Sequence, residues 1–341
     1  MTGPRHNDSR EGCREAEGEV SLSTSDTDIS VQPGGLPGER EVVARPGRRR
    51  FLKRDTLAAI LFLLPSLAHF VVFLGGLVVA SFVISLLRWD FFNPPEFVGL
   101  RNYGKLFDDP VFRTVLVNTV YYSILVIPTG MALSLLLALA VNTKLRGLRF
   151  FRTAYFIPVI ASAAAVSILW GWMYSYDFGV LNWFLGLFGV EPVNWLGDPT
   201  TAMPAVAAVQ VWRGLGEGMI IFLAGLQAIP QHLYEASALD GAGRWKQFRY
   251  VTWPLLSPTT FFVAVLEVIG SFQVFDMIWL MTKGGPGRST TVYNYHLFVK
   301  TFRSFEAGYG AAMSWVLFAI IGVLTIIQFK VLNKRVQYEL G

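Results

Sequence analysis

Six long apolar runs constrain the fold of this chain more than any other feature of its sequence. They lie at about 57–87, 114–141, 151–173, 203–228, 255–281 and 311–331. Because the lipid interior offers the backbone no hydrogen-bonding partner, an apolar run of about 20 residues crosses it as a helix. Hydrophobic residues make up 53% of the 341 residues and charged residues only 16%, which is more apolar than a soluble core of this size requires. The sequence therefore predicts an all-α membrane protein with about six transmembrane helices.

Lys and Arg are unevenly distributed among the segments that connect these runs. The two chain ends and the loops at 142–152 and 230–252 hold roughly twice as many of them as the alternate segments, and the 177–200 loop holds none. Basic residues are retained on the cytoplasmic side of a bilayer. We therefore predict a multi-pass protein of the cell membrane with both termini in the cytoplasm and the 177–200 loop outside.

The beginning of the chain differs in composition from the rest. The first 50 residues contain no Phe, Trp or Tyr and are rich in Glu, Ser, Gly, Pro and Arg. Such a segment cannot bury enough apolar area to offset the entropy lost when it becomes ordered. We predict a disordered, basic-ended cytoplasmic tail at 1–54 and a transmembrane domain at 55–341.

Residue types needed for catalysis or metal binding are sparse. Cys13 is the only cysteine, and the four histidines lack the spacing typical of metal ligands. Gly99, Gly104 and Lys105 fit the phosphate-binding pattern G-x-x-x-x-G-K, but Leu106 stands where Ser or Thr must hold magnesium. Basic residues that concentrate between apolar runs are orientation signals rather than a nucleic-acid surface. We predict no catalytic residue, no metal site, no bound cofactor and no nucleic-acid partner.

The 230–254 segment, between the fourth and fifth runs, is long for a connection between membrane helices. Pro230 favours the start of a helix, Gly241 favours its end with a left-handed backbone turn, and a second helix is predicted at 244–254. Apolar residues recur at helical spacing in the first of these helices, at Leu233, Ala236 and Leu239. The pattern predicts an amphipathic helical hairpin, which needs a protein partner or a lipid surface.

The same loop resembles the EAA coupling motif of the permease subunits of bacterial ATP-binding-cassette (ABC) importers. The residues that carry the resemblance are Glu235, Ala236, Asp240, Gly241, Ala242, Phe248, Val251 and Pro254. Ser237 replaces the second Ala of the motif, Val251 an Ile and Trp253 a Leu, and each replacement keeps a small or apolar character. The resemblance implies that this loop docks into a cleft of a separate ATPase subunit.

Four further stretches, at 97–103, 222–230, 282–286 and 308–312, are similar to the maltose-type carbohydrate branch of that family, specifically its first permease subunit. The resemblance covers about 57–335. It implies a type I ABC importer permease fold at 55–341, with 230–254 as the cytoplasmic coupling loop. It also implies a second permease subunit, two ATP-binding subunits that hold ATP and Mg, an extracytoplasmic solute-binding protein and a sugar substrate.

Polar residues inside two of the runs indicate a solute pathway. Ionisable groups within a membrane span are costly and normally face a cavity or a partner group. The candidates are Gln210, Gly214 and Glu217 on one stripe of the fourth run, and Glu267, Ser271, Gln273 and Asp276 along the fifth. Carboxylates and amides are suited to sugar hydroxyls, and Trp212 or Tyr174 to stacking on a pyranose ring. The resemblance likewise implies sugar contacts on the two helices that flank the coupling loop.

Other roles for these residues stay open. Arg213 and Glu217 are four residues apart, a spacing that favours an ion pair on one helix. Glu267 is alternatively a cap for a neighbouring helix or a contact with the partner permease. The aromatic residues of the fifth run are predicted to pack together, at Phe272, Phe275 and Trp279.

The predicted function is that of a non-catalytic permease subunit for a sugar or related polyol, which forms half of the pathway and couples to a separate ATPase. Two alternatives stay open. One is the same machinery with another solute, such as glycerol phosphate, an amino acid, a peptide or a metal. The other is a proton-driven secondary transporter with Glu267 and Asp276 as relay groups.

Overall fold

The structure, a computed structural model, describes residues 52–143 and 148–332. The prediction of a tail at 1–54 therefore lies almost wholly outside the described residues, as do the basic residues Lys334 and Arg335. By its internal contacts the chain divides after Phe62, and the packing described below is all within the unit that begins at Leu63.

The elements are as follows. The first part contains α1 (Leu52–His69), a π-helical turn (Phe70–Gly75), α2 (Gly76–Ser85), β1 (Leu87–Arg88) and β2 (Glu96–Phe97). The middle part contains α3 (Arg101–Asp108), α4 (Pro110–Val141), α5 (Leu148–Ile160), α6 (Ala163–Met173), α7 (Val180–Gly186) and α8 (Ala202–Ala228). The last part contains α9 (Gln231–Leu239), α10 (Arg244–Gln247), a π-helical turn (Phe248–Thr252), α11 (Trp253–Leu255), α12 (Ser257–Phe272), a π-helical turn (Ile278–Thr282), α13 (Tyr293–Phe298), a π-helical turn (Val299–Arg303) and α14 (Ala307–Leu332).

The helices confirm the predicted fold class. Four described segments are long and apolar enough to cross a membrane unbroken, namely Ala59–Ser85, Pro110–Val141, Ala202–Ala228 and Ala307–Lys330. Two bent pairs complete the set: Arg152–Ile160 with Ala163–Met173, bent by 103°, and Arg244–Leu255 with Ser257–Phe272, bent by 64°. Counted as one span each, the pairs bring the total to six. The only strands in the described part of the chain form a two-stranded antiparallel ribbon, in which Leu87 lies opposite Phe97.

The third apolar run is not the continuous helix that its composition predicts. It breaks between α5 and α6, where Pro158 lies in the last turn of α5. The hydroxyl of Ser162 accepts a hydrogen bond from Ala165 N at 3.2 Å and so caps a new helix. A proline near a helix end and a serine cap just beyond it favour this break, because the cap satisfies a free backbone donor.

The fifth run is also shorter than predicted, because α12 ends at Phe272 rather than near Met281. At the break, Gln273 N bonds to Gly270 O at 3.2 Å. The carbonyl of Gln273, which the helix no longer uses, accepts a hydrogen bond from Asn294 Nδ2 at 2.9 Å. Gln273 and Asp276 are therefore outside the helix that carries Glu267, and both are exposed.

Helix α8 is the central element of the bundle and packs against α4, α5 and α12. Small residues permit this close packing: a Cβ added at Gly218 would lie 2.5 Å from Ser134 Oγ, and one at Gly225 would lie 2.3 Å from Thr259 Oγ1. Membrane helices approach closely where such residues face each other.

The bundle has two ends, the coupling end and the far end. At the coupling end, α8 finishes, α12 begins and α9–α11 lie between them. The buried residues there include Ala138, Met219, Leu226 and Leu256. At the far end, α4 begins and α12 finishes, over a second buried cluster that includes Leu106, Phe112, Phe272, Tyr293 and Tyr309.

Candidate coupling loop and solute pathway

The coupling loop is a helical hairpin, as its sequence predicts. Pro230 precedes α9, and the helix is closed by Gly241, whose φ of +75° lies in the left-handed region. The turn is completed by a hydrogen bond of 2.9 Å from Ala242 N to Ser237 O. Left-handed backbone favours glycine, because a Cβ there is too close to the backbone carbonyl. The predicted positions of the helix start and of the glycine turn are confirmed.

Neutral hydrogen bonds hold the two arms of the hairpin together. The hydroxyl groups of Tyr234 and Thr252 are 3.0 Å apart, and Gln247 Nε2 donates to Tyr234 O at 3.4 Å. Four residues of the hairpin α9–α11 pack against the buried cluster at the coupling end, namely Leu233, Tyr234, Val251 and Leu255. The hairpin therefore packs directly on the ends of α4 and α8.

The outer face of the hairpin carries large exposed apolar side chains. Leu239 is 91% exposed, and Trp245 and Tyr250 are each 74% exposed. The motif residues divide between the two faces: Glu235, Ala236, Asp240 and Gly241 are exposed, whereas Ser237, Ala242, Phe248 and Pro254 are partly buried. The apolar residues predicted to share one edge of α9 do not all face the same way. Leu233 packs against the bundle, whereas Ala236 and Leu239 are exposed. Such an outer face is suited to a protein partner.

Three of the predicted solute residues, Glu217 on α8 with Glu267 and Ser271 on α12, form a polar cluster. The carboxyl groups of Glu217 and Glu267 are close enough to interact electrostatically. A Cβ at Gly130 of α4 would lie 3.7 Å from Glu267 Oε1. Ser271 is buried, and its hydroxyl accepts a hydrogen bond from Ser123 Oγ at 3.0 Å. Three helices, α4, α8 and α12, therefore line this cluster.

Helix α4 contributes residues that the sequence alone did not identify. Tyr122 is fully buried, and its hydroxyl has no hydrogen-bond partner among the described residues. Its phenol group interacts electrostatically with Glu267. One feature of the sequence does indicate that α4 packs closely on another helix. Small residues recur every four positions in its otherwise apolar run, at Gly130, Ser134 and Ala138.

The remaining predicted pathway residues do not join this cluster as a continuous stripe. Gln210 and Gly214 are half-buried on α8. The predicted ion pair between Arg213 and Glu217 is wrong, because neither residue is in an ion pair within the described ranges, and Arg213 Nε is buried without a partner there. Glu267 likewise caps no helix in the described part of the chain.

The aromatic residues separate into a packing group and one accessible ring. Tyr174 is buried and donates its hydroxyl hydrogen to Ala205 O at 3.1 Å, so it is not free to stack on a sugar. Trp212 is 37% exposed and packs edge-on against Trp170 at 5.3 Å. The predicted packing role of the fifth-run aromatics is confirmed, with close ring contacts among Phe275, Trp279 and Phe298. Phe272 is buried in the far-end cluster.

The described residues contain no group of three His, Cys, Asp or Glu that is arranged to hold a metal ion. The near-match to a phosphate-binding loop has no structural counterpart. Lys105 lies on α3 and pairs with Glu306, and α3 follows a two-residue strand of an antiparallel ribbon rather than a parallel sheet. A nucleotide-binding loop requires a strand, a glycine-rich turn and a helix in one unit.

Known proteins with similar sequences include permease subunits of sugar transport systems. The chain is 37% identical over 279 residues to the trehalose/maltose transport system permease protein MalF of Thermococcus litoralis, covering 82% of this chain and 94% of that protein. It is 36% identical over 281 residues to the lactose transport system permease protein LacF of Rhizobium radiobacter, covering 81% of this chain and 94% of that protein.

Solved structures and family models agree with this similarity. A chain from the crystal structure of a bacterial ABC transporter involved in the import of the acidic polysaccharide alginate superposes with a TM-score of 0.74, covering 84% of this chain and 98% of that one, at 24% identity. At that identity the likeness concerns the fold, and it confirms the predicted importer permease fold. Residues 111–338 match the family described as binding-protein-dependent transport system inner membrane component. The chain therefore belongs to this family of integral membrane permeases of ABC transporters.

Proposed function

We propose that the chain is the permease subunit of an ABC importer for a sugar or related polyol. It forms half of the translocation pathway in the cell membrane, with both termini in the cytoplasm, and catalyses no reaction itself. One observation carries this proposal: the exposed hairpin α9–α11 is the direct covalent connection between α8 and α12, the two helices that carry Glu217 and Glu267.

Because the hairpin is continuous with α8 and α12, a movement of the hairpin reaches both helices directly. The proposed partner, an ATP-binding subunit, engages the exposed apolar face of the hairpin and moves it when its nucleotide sites close. Because the hairpin packs on the ends of α4 and α8 through Leu233 and Tyr234, its movement changes how α4, α8 and α12 meet. The polar cluster between those helices is then opened to one side of the membrane or the other.

The chemistry of the polar cluster supports a hydroxyl-rich, uncharged substrate. Carboxylate oxygens accept hydrogen bonds from several hydroxyl groups, and two acidic residues in one cluster disfavour a phosphate or carboxylate ligand. The exposed ring of Trp212 adds an apolar surface for a pyranose face. Relatives that transport trehalose, maltose and lactose support the same substrate class.

Reconstitution separates this proposal from a proton-driven transporter. The chain would be purified with its second permease and ATP-binding subunits, placed in liposomes and supplied with a solute-binding protein and a panel of labelled sugars. We expect uptake of at least one sugar that requires ATP and is unaffected when the proton gradient is collapsed.

The matched control is the chain alone in liposomes with an imposed proton gradient. Accumulation of solute by the chain alone would refute the proposal in favour of the secondary transporter. ATP-driven uptake of amino acids or peptides, with no sugar accepted, would keep the coupling mechanism and overturn the substrate class.

A further inference from the structure

Two cavities open at the far end of the bundle, and they differ in how their charges are compensated. The first has a volume of about 720 Å³ and lies beside the β1–β2 ribbon, α3 and the start of α14. Its Arg88 pairs with Glu96, and its Lys105 pairs with Glu306. Its Asp90 accepts hydrogen bonds within its own loop. The first cavity therefore satisfies most of its own charges.

The second cavity has a volume of about 490 Å³ and is lined by Lys283, Arg288, Lys300 and His296 together with Asp109. Among residues 52–143 and 148–332, no carboxylate lies within ion-pair distance of Lys283 or Arg288. Lys300 is already paired, with 3.0 Å between its Nζ and Glu306 Oε1. Two cations at this cavity are thus in no ion pair among the described residues.

The one carboxylate that lines the second cavity is occupied elsewhere. Asp109 Oδ1 caps α4 by accepting a hydrogen bond from Val111 N at 2.8 Å. Asp109 Oδ2 accepts a hydrogen bond from the hydroxyl of Tyr309 at 3.3 Å. A carboxylate with both oxygens engaged in this way is not free to swing toward Lys283 or Arg288.

Hydrogen bonds hold the backbone of the two cationic residues in place, while both side chains are exposed at the cavity. Lys283 and Arg288 have φ values of 51° and 72°, in the left-handed region that residues with a Cβ seldom adopt. Asn118 Nδ2 on α4 donates to Arg288 O at 2.8 Å, and the hydroxyl of Tyr295 donates to Lys283 O at 2.7 Å. Strained backbone that the surroundings hold in place is typical of binding sites.

His296 adds a further unsatisfied group beside these cations. It is only 7% exposed, it lines the second cavity, and its Nε2 has no hydrogen-bond partner in the described part of the chain. Burial, together with the nearby charge of Lys300, lowers the pKa of His296, which keeps the imidazole neutral. The cavity thus combines two free cations with a neutral imidazole that has an unused nitrogen.

We infer that the second cavity receives the carboxylate of an acidic side chain on the solute-binding protein when that protein docks at the far end. This inference rests on the proposed function, which gives the chain such a partner. Two unpaired cations are not required to bind an uncharged sugar, and the proposed solute cluster is acidic, so the second cavity is not expected to be the sugar site. A protein carboxylate supplies the charge that Lys283 and Arg288 lack, and charge complementarity of this kind speeds the encounter of two proteins.

The test uses the complete transporter in lipid nanodiscs and measures ATPase activity against the concentration of the cognate solute-binding protein, defined as the one that stimulates the wild-type complex. The Lys283→Ala/Arg288→Ala double variant is compared with Arg113→Ala, which removes an exposed cation of the same end that does not line the cavity. We expect the half-saturating concentration to rise about tenfold or more in the double variant and to stay unchanged in the control.

Each other outcome has a defined meaning. An unchanged half-saturating concentration in the double variant, with the complex intact by size-exclusion chromatography, overturns the inference. So does a higher KM for the solute at saturating binding protein with no change in its half-saturation, because the cavity would then belong to the solute pathway. If no solute-binding protein stimulates the wild-type complex, the proposed function is refuted, and with it this inference.

Discussion

The coupling end and the far end of the bundle differ in their ion pairs. At the coupling end, large apolar side chains such as Leu239 and Trp245 are exposed on a hairpin held by neutral hydrogen bonds. At the far end lie all three ion pairs found among the described residues. Apolar surfaces are typical of permanent interfaces, whereas complementary charges favour fast, salt-sensitive encounters. The comparison indicates a permanent partner at the coupling end and a transient one at the far end.

The largest effect is expected where the coupling end changes direction. Gly241→Pro forces φ to about −65° at a position whose φ is +75°, so the hairpin cannot keep its shape. We expect ATP-driven uptake to fall by roughly two orders of magnitude or more, because the two arms no longer present one face to the ATPase. Uptake of labelled sugar by proteoliposomes and ATPase activity measure this effect.

A neighbouring glycine provides the control for that variant. Gly243 has an ordinary φ of −69° and open space around it, so Gly243→Ala is expected to leave uptake unchanged. Normal uptake by Gly241→Pro would show that the hairpin does not couple the bundle to ATP hydrolysis.

The next largest effect is expected where the coupling end makes its proposed apolar contact with the ATP-binding subunit. Leu239→Asp replaces a 91% exposed leucine with a charge, and loss of one leucine contact removes about 1.5–3 kcal/mol of burial energy. We expect roughly tenfold or greater loss of the ATP-binding subunits on affinity purification. Leu187→Asp, at another exposed leucine, 63% exposed and located after α7, is expected to have no such effect.

Binding at the two ends is expected to respond differently to ionic strength. Retention of the ATP-binding subunits is expected to be less sensitive to salt than docking of the solute-binding protein, because exposed charges are screened beyond about 8–10 Å at physiological ionic strength. Equal sensitivity at both ends would contradict the assignment of different chemistry to them.

A variant of Glu267, which lies in the polar cluster between the two ends, tests the proposed solute pathway. Glu267→Gln keeps the size of the side chain and replaces its carboxyl group with an amide, so hydrogen bonds from solute hydroxyls weaken by about 1 kcal/mol. We expect the solute concentration that half-saturates transport to rise about fivefold. Glu191→Gln, in the exposed 177–200 loop, serves as the control. An equal response of the two variants would remove Glu267 from the pathway.

The two ends also differ in how well their structure follows from sequence. At the coupling end, local signals suffice: Pro230 and Gly241 define the start and the turn of α9, because each restricts or permits backbone angles by itself. At the far end, structure depends on contacts between distant segments, such as the bond between Lys105 and Glu306, 201 residues apart. The end of α12 at Phe272 likewise depends on Asn294, which has no local signature in the fifth run. The breaks in the third and fifth runs and the role of α4 were accordingly not predicted.

The smallest effect is expected at Glu306, which links α14 to two other parts of the far end. Its carboxylate accepts hydrogen bonds from Lys105 and Lys300. Although burial alone raises the pKa of Glu306, those hydrogen bonds outweigh it and hold the pKa below its usual 4.5. Since Glu306 is partly exposed, we expect Glu306→Gln to lower the free energy of unfolding by only about 1 kcal/mol at neutral pH. Thermal unfolding in detergent measures this change.

The pH dependence of that effect has a defined sign. Because folding lowers the pKa of Glu306, the stabilisation is present in full above the usual value of 4.5 and is lost as the pH falls through the lower folded value. The difference between the wild-type protein and Glu306→Gln should therefore shrink below about pH 4.5. Glu96→Gln, which removes a pair whose side chains are 65% and 60% exposed, is expected to change nothing measurable. If Glu306→Gln were as stable as the wild type at neutral pH, the far end would be held together by its packed residues alone, and its charges would be left for a partner.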